Sequence, residues 1–162
     1  MVSIIEYEDR YIADFRQLNL EWLEKYHLVE PPDLEILDDP RAAVLDRGGA
    51  IFLALLDNEI VGTAALIVHG SGSENEMQEQ GDCYELAKMS VAPLHRGKGI
   101  GKLLIGRCLG KAREIGVQKL VLYSNSQLQS AIKLYEQFGF QHVPVIGSPF
   151  VTADIKMELQ IH

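Results

Sequence analysis

The sequence predicts a single α/β domain built around a mixed β-sheet. Two strand-like runs, Ile51–Leu56 and Ile60–Val68, are joined by Asp57 and Asn58, a pair typical of a tight antiparallel hairpin. Further along the chain, two apolar strands are each followed by a segment with the apolar period of a helix. With 162 residues, 47% of them hydrophobic, the chain can bury one core without metal or disulfide support.

The chain begins with a predicted strand and a predicted helix. Val2–Tyr7 is a short apolar run that suits a strand. The acids and arginine that follow open an amphipathic stretch, whose apolar residues recur at near-helical spacing: Ile12, Phe15, Leu18 and Trp22.

Two prolines, Pro31 and Pro32, are expected to break this first helix. Asp39 followed by Pro40 is a favourable N-cap and first-turn pair, so a second helix is expected to start there. That helix is expected to stop at Gly48 and the glycine after it. The sequence therefore predicts two helices before the hairpin.

Residues 69–82 are polar, contain glycine and show no apolar periodicity, so they are expected to form a loop. The next segment, Cys83–Val91, is predicted to be a strand, but its large apolar residues change faces. Leu86 lies on one face, whereas Met89 and Val91 belong to the other. A β-bulge produces such a change, and bulges occur beside active sites.

Together with Cys83–Val91, the rest of the chain is predicted to form two strand–helix units and a final alternating strand. The expected features are a helix at Ile100–Ile115 ended by Gly116, a strand at Lys119–Tyr123, a helix capped by Ser126 and ended by Gly139, and a half-exposed strand at Val151–Ile161.

Composition excludes several classes of function. A net charge of −8 argues against a general binder of nucleic acid or of anionic membranes. No apolar run approaches the ~18–20 residues that span a membrane, and the N-terminus lacks a signal-peptide pattern, so we expect a cytoplasmic protein. Cys83, Cys108 and the five scattered histidines show no metal-ligand spacing, so no metal is expected.

The segment HRGKGIGKLLIG, residues 95–106, is predicted to bind phosphate. From Arg96 to Arg113 there are six cations and no acid, in a chain that is otherwise acidic. Glycines at 97, 99 and 101 let backbone N–H groups approach a ligand, and the following helix adds free donors and its dipole. The alternative is an ordinary glycine-rich helix start whose cations face water.

Two common phosphate loops do not match this segment. A Walker loop needs a glycine where Arg96 stands and a hydroxyl residue where Leu103 follows Lys102. The dinucleotide-binding fingerprint needs a third glycine, but Lys102 occupies that position.

RGKGIG, placed between a bulged strand and a helix, strongly resembles the pyrophosphate loop of the GCN5-related N-acetyltransferase family. The family pattern Gln/Arg-x-x-Gly-x-Gly/Ala is filled by Arg96, Gly99 and Gly101, and the resemblance extends over about residues 85–140. It implies one domain over residues 1–162. It also implies a mixed, mostly antiparallel sheet of about seven strands with a splayed central parallel pair, about four flanking helices, and acetyl-CoA as co-substrate.

The resemblance also implies which residues bind acetyl-CoA. Met89 and Val91 would offer backbone groups to pantetheine and the acetyl carbonyl. Asn125 resembles an asparagine that binds the cofactor or an ordered water, with a simple helix-start role as the alternative. The phosphates would be held by Arg96, Gly97, Lys98, Gly99, Ile100, Gly101 and Lys102.

The chemistry requires a base, because an alkyl amine with a pKa of ~10.4 is mostly protonated at neutral pH. Glu85 lies where many family members place this base; a solvated strand residue or a partner of Lys88 is the alternative. A backbone N–H freed by the bulge near Met89 would stabilise the oxyanion. Tyr135 matches the usual acid for the thiolate, and a core tyrosine bonded to backbone is the alternative.

The expected function is acetyl transfer to a primary amine of a small molecule or peptide, by direct attack in a ternary complex. A covalent route is disfavoured because neither cysteine has an activating base nearby in sequence, although Cys83 lies near Glu85. The alternative function is a non-catalytic acyl-CoA sensor. Hydroxyl acceptors, longer acyl groups and a homodimer formed through the last strands are left open. One hypothesis for the acceptor is an acidic, aromatic-edged pocket for a cationic amine, with a plain amphipathic helix as the alternative. Its residues would be Trp22, Tyr26 and His27 with Glu21, Glu24 and Glu30.

Overall fold

The computed structural model describes residues 1–69, 83–146 and 148–161. These residues form one mixed sheet in the order β1-β2-β3-β4-β5-β7-β6, in which β4 and β5 are the parallel pair and the other neighbours are antiparallel. The predicted mixed, mostly antiparallel sheet is confirmed. Its strands are β1 (Ser3–Glu6), β2 (Ala50–Leu56), β3 (Glu59–Val68), β4 (Cys83–Val91), β5 (Lys119–Ser124), β6 (Gln141–Val143) and β7 (Ile155–Gln160).

Helices cover both faces of the sheet and divide the core in two. One core packs α4 and α5 against one face, with Leu86, Leu104 and Tyr135 among its members. The other packs α1 and α2 against the opposite face, with Phe15 and Leu37 at its centre. The helices are α1 (Ile12–Lys25), α2 (Pro31–Asp38), α3 (Pro40–Ala43), α4 (Ile100–Ile115) and α5 (Gln129–Gln137).

The two prolines begin a helix, which corrects the expected order of the N-terminal part. α1 already ends at Lys25, and Pro31 and Pro32 occupy the first positions of α2. Proline is favoured there because the first helical N–H groups need no partner within the helix. Glu30 and Asp33 form a capping box that fixes this start.

The helix predicted to follow Asp39 starts as expected but is short. The Asp39 carboxylate accepts a hydrogen bond from the N–H of Ala42 at 3.2 Å. α3 spans only Pro40–Ala43 and is followed by a 3₁₀ turn at Leu45–Arg47. The chain then turns at Gly48, whose φ of 96° lies in the left-handed region that favours glycine.

The predicted hairpin and bulge are both present. Asp57 and Asn58 turn with φ of 49° and 65°, as a primed two-residue turn requires. Thr63 of β3 pairs with Ser90, but Ala65 pairs with Ala87, so β4 contains one extra residue.

Two details of the C-terminal half are corrected. Ser126 does not cap α5: Leu128 holds that position, and the Ser126 N–H and hydroxyl both donate to Asp154, at 2.8 and 2.7 Å. The last strand begins at Ile155, four residues later than predicted, and Val151 is almost fully exposed.

The short strand β6 has no signal in the sequence pattern and pairs with β7. β7 therefore lies between two strands, so the tail does not supply the free edge expected of it. The loop predicted at 69–82 lies outside the described residues apart from His69. Within the described ranges, no helix has the length and apolar character needed to cross a membrane.

Candidate active site

A cavity of about 630 Å³ opens where β4 and β5 separate. Their pairing covers only Cys83–Glu85 and Lys119–Val121, and the two strands diverge beyond it. The cavity is lined by Gly99 and Leu134 from the α4–α5 face and by Trp22 and Asp33 from the α1–α2 face. It thus connects the two faces of the sheet through the gap, and its volume is typical of a small-molecule site.

The glycines of the loop are needed for two different reasons. Gly97 and Gly99 adopt φ of 78° and 81°, and a Cβ at either position would meet no atom within 4 Å. Their backbone conformation is what excludes other residues. A Cβ at Gly101 would lie 3.0 Å from Leu134 and 3.1 Å from Met89, so this position needs glycine for packing.

The first turn of α4 presents free donors to the cavity. The N–H of Leu103 bonds to the carbonyl of Gly99 at 3.2 Å, and no side chain caps the helix. The N–H groups of Ile100, Gly101 and Lys102 therefore have no partner within the helix. All three residues line the cavity, which makes its mouth an anion-binding surface.

Only part of the predicted cation cluster reaches this surface. Arg96 and Lys102 line the cavity, whereas Lys98 does not. Further along α4, the guanidinium of Arg107 lies 4.5 Å from the ring centre of Phe52. The local positive charge at the loop is therefore smaller than the six cations of the sequence suggest.

Met89 and Val91 lie beyond the bulge, where β4 has left β5. Both line the cavity. The Val91 carbonyl accepts a hydrogen bond from Nε of Arg96 at 3.0 Å, which ties the end of β4 to the loop. The β4 edge that faces β5 has no strand partner after Glu85 among the described residues. Backbone groups at this open edge are available to a ligand.

Glu85 is a buried carboxyl at the gap, with only 8% of its surface exposed. Burial raises the pKa of Glu85 to about 7, with Lys88 lowering it and Asp33 raising it. The carboxyl therefore titrates near neutral pH, so it can accept a proton and release it again. The alternative of a solvated strand residue is wrong.

Lys88 is the partner of Asp33, which corrects the other alternative for Glu85. The two side chains form an ion pair with only 5% and 3% of their surfaces exposed. Asp33 also accepts the N–H of Glu30 at 2.9 Å. The backbone of Lys88, at the bulge, has a φ of 52°, in the left-handed region. Its Nζ lies 5.4 Å from the ring centre of Phe150.

Sequence reasoning missed this ion pair as part of the site. Asp33 and Lys88 stand 55 positions apart, and no periodicity relates two residues so distant. The only local signal was the change of faces along β4, which marks the bulge without identifying the partner.

Tyr135 projects from α5 into the cavity lining and is 8% exposed. Its ring packs edge-on against Phe140, with ring centres 6.0 Å apart. Its hydroxyl makes no hydrogen bond with any residue the structure describes, so the expected alternative of a hydroxyl bonded to backbone is not what is found. Burial raises the pKa of Tyr135 far above its usual value, so the hydroxyl keeps its proton at neutral pH.

Asn125 lines the cavity, but its side chain also holds local structure. Its Nδ2 donates to the carbonyl of Thr152 at 2.8 Å, and its Oδ1 accepts the N–H of Gln127 at 3.0 Å. The amide thus fixes the turn before α5 and the segment before β7, which agrees with a helix-start role.

The two cysteines are buried thiols. Burial raises the pKa of Cys83 above its ordinary value and the pKa of Cys108 to about 12. Both therefore stay protonated at neutral pH and are poor nucleophiles. In the described ranges, no group of three or more His, Cys, Asp or Glu side chains is placed to hold a metal ion.

The acidic residues that line the cavity differ from those predicted for the acceptor pocket. Trp22 and Tyr26 line the cavity as expected, but Glu21, Glu24 and His27 are exposed and lie outside its lining.

The fourth acid expected there, Glu30, is buried outside the lining. Its carboxylate accepts the N–H of Val151 at 2.8 Å and that of Thr152 at 2.9 Å. The carboxylates that do line the cavity are Asp33 and Glu85.

Residues 12–140 match the sequence model of the acetyltransferase (GNAT) family. The chain is 33% identical over 131 residues to the uncharacterized N-acetyltransferase YjgM of Escherichia coli K12, a match covering 79% of this chain and 72% of that protein. It is 32% identical over 107 residues to N-acetyltransferase 8 of Rattus norvegicus, covering 66% of this chain and 46% of that protein. The chain thus spans less than half of the rat relative.

Solved structures share the fold. A GNAT-family acetyltransferase from Staphylococcus aureus Mu50 superposes with a TM-score of 0.84 at 21% identity, covering all of both chains. The yncA protein of Salmonella typhimurium, solved with acetyl-CoA, superposes with a TM-score of 0.77 at 21% identity, covering 100% of this chain and 95% of that one.

Proposed function

The chain belongs to the acetyltransferase (GNAT) family, and from this premise we propose that it transfers the acetyl group of acetyl-CoA to a primary amine of a small molecule or peptide. The observation that carries the proposal is the position of Glu85. A carboxyl with a pKa of about 7 lies at the strand gap, in the same cavity as a glycine loop with free N–H donors. A base and an anion-binding surface in one cavity suit acetyl transfer.

In this proposal the loop holds acetyl-CoA by its diphosphate. The free N–H groups at the start of α4 donate to phosphate oxygens, and Arg96 and Lys102 add positive charge. Gly97, Gly99 and Lys98 shape the loop, and Lys98 adds charge from outside the cavity lining. Met89 and Val91 offer the open edge of β4 to the pantetheine arm, which brings the thioester to the gap.

The acetyl transfer itself uses three groups. Glu85 removes a proton from the amine, directly or through a water, so that the nitrogen lone pair attacks the acetyl carbon. A backbone N–H near Met89 stabilises the oxyanion. The C–N bond forms, the C–S bond breaks, and Tyr135 donates its proton to the leaving sulfur. The second proton, which the nitrogen loses as it becomes an amide, passes through water and restores the hydroxyl of Tyr135. Asn125 supports the site by holding the turn before α5.

Direct attack is favoured over a covalent intermediate, because both thiols are held in their protonated form by burial. The alternative of a non-catalytic sensor is not favoured. A binding domain has no use for a buried carboxyl whose ionisation opposes its burial.

The proposal is tested by calorimetric titration with acetyl-CoA, followed by an assay of CoA release with a panel of primary amines. We expect binding, and CoA release with at least one amine. The matched control is Glu85→Gln, which should bind acetyl-CoA as the wild type does and lose most of the turnover. Binding without turnover of any amine would support the sensor and contradict the proposal.

Four further expectations belong to this proposal. Residues 1–162 form one catalytic domain, the protein acts in the cytoplasm, and acetyl is preferred over longer acyl groups. A homodimer would form through a sheet edge, and the edge strands among the described residues are β1 and β6.

Light scattering of the purified protein tests the dimer. CoA release with propionyl-CoA and butyryl-CoA tests the preference for acetyl.

A further inference from the structure

The part of the cavity on the α1–α2 side has a composition that restricts the acceptor. We define this acceptor half by the lining residues Trp22, Tyr26, Asp33, Glu85, Lys88 and Phe150. We propose that it takes a monoamine whose nitrogen is carried on an apolar aryl or alkyl body, without a carboxylate and without a second ammonium. This inference rests on the proposed function and names its acceptor class.

The cation of the acceptor half is already neutralised. Lys88 is paired with Asp33, and both side chains are almost completely buried. The other lysines and arginines that line the cavity in the described residues, Arg96, Lys102 and Lys133, belong to the loop, α4 and α5. An acceptor carboxylate would therefore enter a buried site without a free cation, and burying an unpaired charge is costly.

The carboxylates on this side of the cavity are also already paired with protein groups, except that of Glu85. Asp33 accepts Lys88 on one oxygen and the N–H of Glu30 on the other. The carboxylate of Glu30 binds backbone N–H groups of the segment before β7 and lies outside the lining. Glu85 remains as the acid that meets the incoming ammonium and takes its proton. A second ammonium on a diamine or polyamine would find no free carboxylate among the described lining residues.

The remaining surface of the acceptor half is aromatic and aliphatic. It is formed by the rings of Trp22, Tyr26 and Phe150, and Leu23 and Leu28 also line the cavity. Such a surface stabilises an aryl or alkyl group in proportion to the apolar area it removes from water. The acceptor half therefore fits a body that is apolar up to the reacting nitrogen.

The test compares two matched pairs of acceptors on the wild-type protein. 2-Phenylethylamine differs from phenylalanine by the carboxylate, and hexylamine differs from 1,6-diaminohexane by the second ammonium. The values of kcat/KM are measured by CoA release and corrected for the fraction of neutral amine. We expect the first member of each pair to be at least tenfold better, which corresponds to about 1.4 kcal/mol.

A variant gives an independent measurement. Asp33→Asn removes the partner of Lys88, so the lysine becomes available to an acceptor carboxylate. The preference for 2-phenylethylamine over phenylalanine should then fall at least fivefold, in a protein whose fold is checked by circular dichroism. If that variant does not fold, the wild-type pairs decide the question.

The outcomes distinguish the acceptor class from the function itself. If the wild type acetylates phenylalanine as efficiently as 2-phenylethylamine, or 1,6-diaminohexane as efficiently as hexylamine, the acceptor class is wrong and the acetyltransferase proposal stands. If none of the four amines is acetylated but another primary amine of the panel is, the acceptor class is wrong and the acetyltransferase proposal stands. If acetyl-CoA binds and no amine of the panel is acetylated, both are contradicted.

Discussion

Lys88 and Asp33 form a buried ion pair that joins the bulge of β4 to helix α2, although they stand 55 positions apart in the chain. The pair brings the strand that carries Glu85 against the helices of the opposite face. It also leaves Glu85 between a cation that lowers its pKa and a carboxylate that raises it. The stability of the fold and the ionisation of the site are therefore linked through one contact.

Lys88→Met should destabilise the protein by about 3–5 kcal/mol, because it leaves the Asp33 carboxylate buried without a cation. Urea unfolding followed by circular dichroism measures this loss. The control is the double variant Lys88→Met with Asp33→Leu, which removes both charges and should recover most of the stability. Equal losses in the single and double variants would show that the charge of Asp33 is not the cause.

Glu85→Gln should lower kcat/KM by a factor of about 10²–10⁴, because the amine loses its base. The pH dependence gives the sharper result. In the wild type, kcat/KM should rise with pH through an inflection near 7, as the carboxyl ionises. In the variant this inflection should disappear while the affinity for acetyl-CoA stays the same. A variant that kept the inflection would assign the base to another group.

The same carboxyl should make stability depend on pH. The pKa of Glu85 is raised from 4.5 to about 7 by folding, so the folded protein binds this proton more tightly than the unfolded chain does. The resulting stabilisation is fully present below pH 4.5 and is lost as the pH rises through 7. Glu85→Gln should therefore become more stable than the wild type as pH rises from 5 to 8, by up to about 3 kcal/mol. Urea unfolding at pH 5 and pH 8 measures this difference; a constant difference would contradict the raised pKa.

Tyr135→Phe should reduce kcat about tenfold or more, because the departing thiolate loses its proton donor. The effect is smaller than for the base, since a thiol with a pKa of ~8.5 leaves tolerably as the anion. Stability should change by less than about 0.5 kcal/mol, because the hydroxyl has no hydrogen bond with the described residues to lose. Single-turnover kinetics and urea unfolding separate the two effects, and a large loss of stability would indicate a structural role.

Lys102→Ala and Lys98→Ala form a matched pair, because the two lysines belong to one loop and only Lys102 lines the cavity. We expect Lys102→Ala to weaken acetyl-CoA binding at least fivefold and to reduce its salt dependence, since a cation near the phosphates is lost. Lys98→Ala should change the Kd by less than twofold. Calorimetry at two salt concentrations measures both, and equal effects would mean that general charge attraction dominates.

Local patterns were sufficient for the parts of the fold that depend on nearby residues. The Asp57-Asn58 turn, the change of faces along β4 and the helix Ile100–Ile115 were all predicted, because turn chemistry and periodicity act over a few residues. Pro31 was interpreted wrongly because proline both ends and begins helices. The three residues of β6 are too few to show any period.

The glycine loop and the family to which the chain belongs could be identified from the sequence alone, since backbone freedom, charge and helix start lie within a dozen residues. Which side chains meet across the gap was decided only by the tertiary structure. Burial sets the pKa of Glu85, and the pairing of Lys88 with Asp33 decides which charges remain for an acceptor. Both depend on the packing of α2 against a distant strand, and a contact between residues so far apart leaves no mark on the local pattern of either.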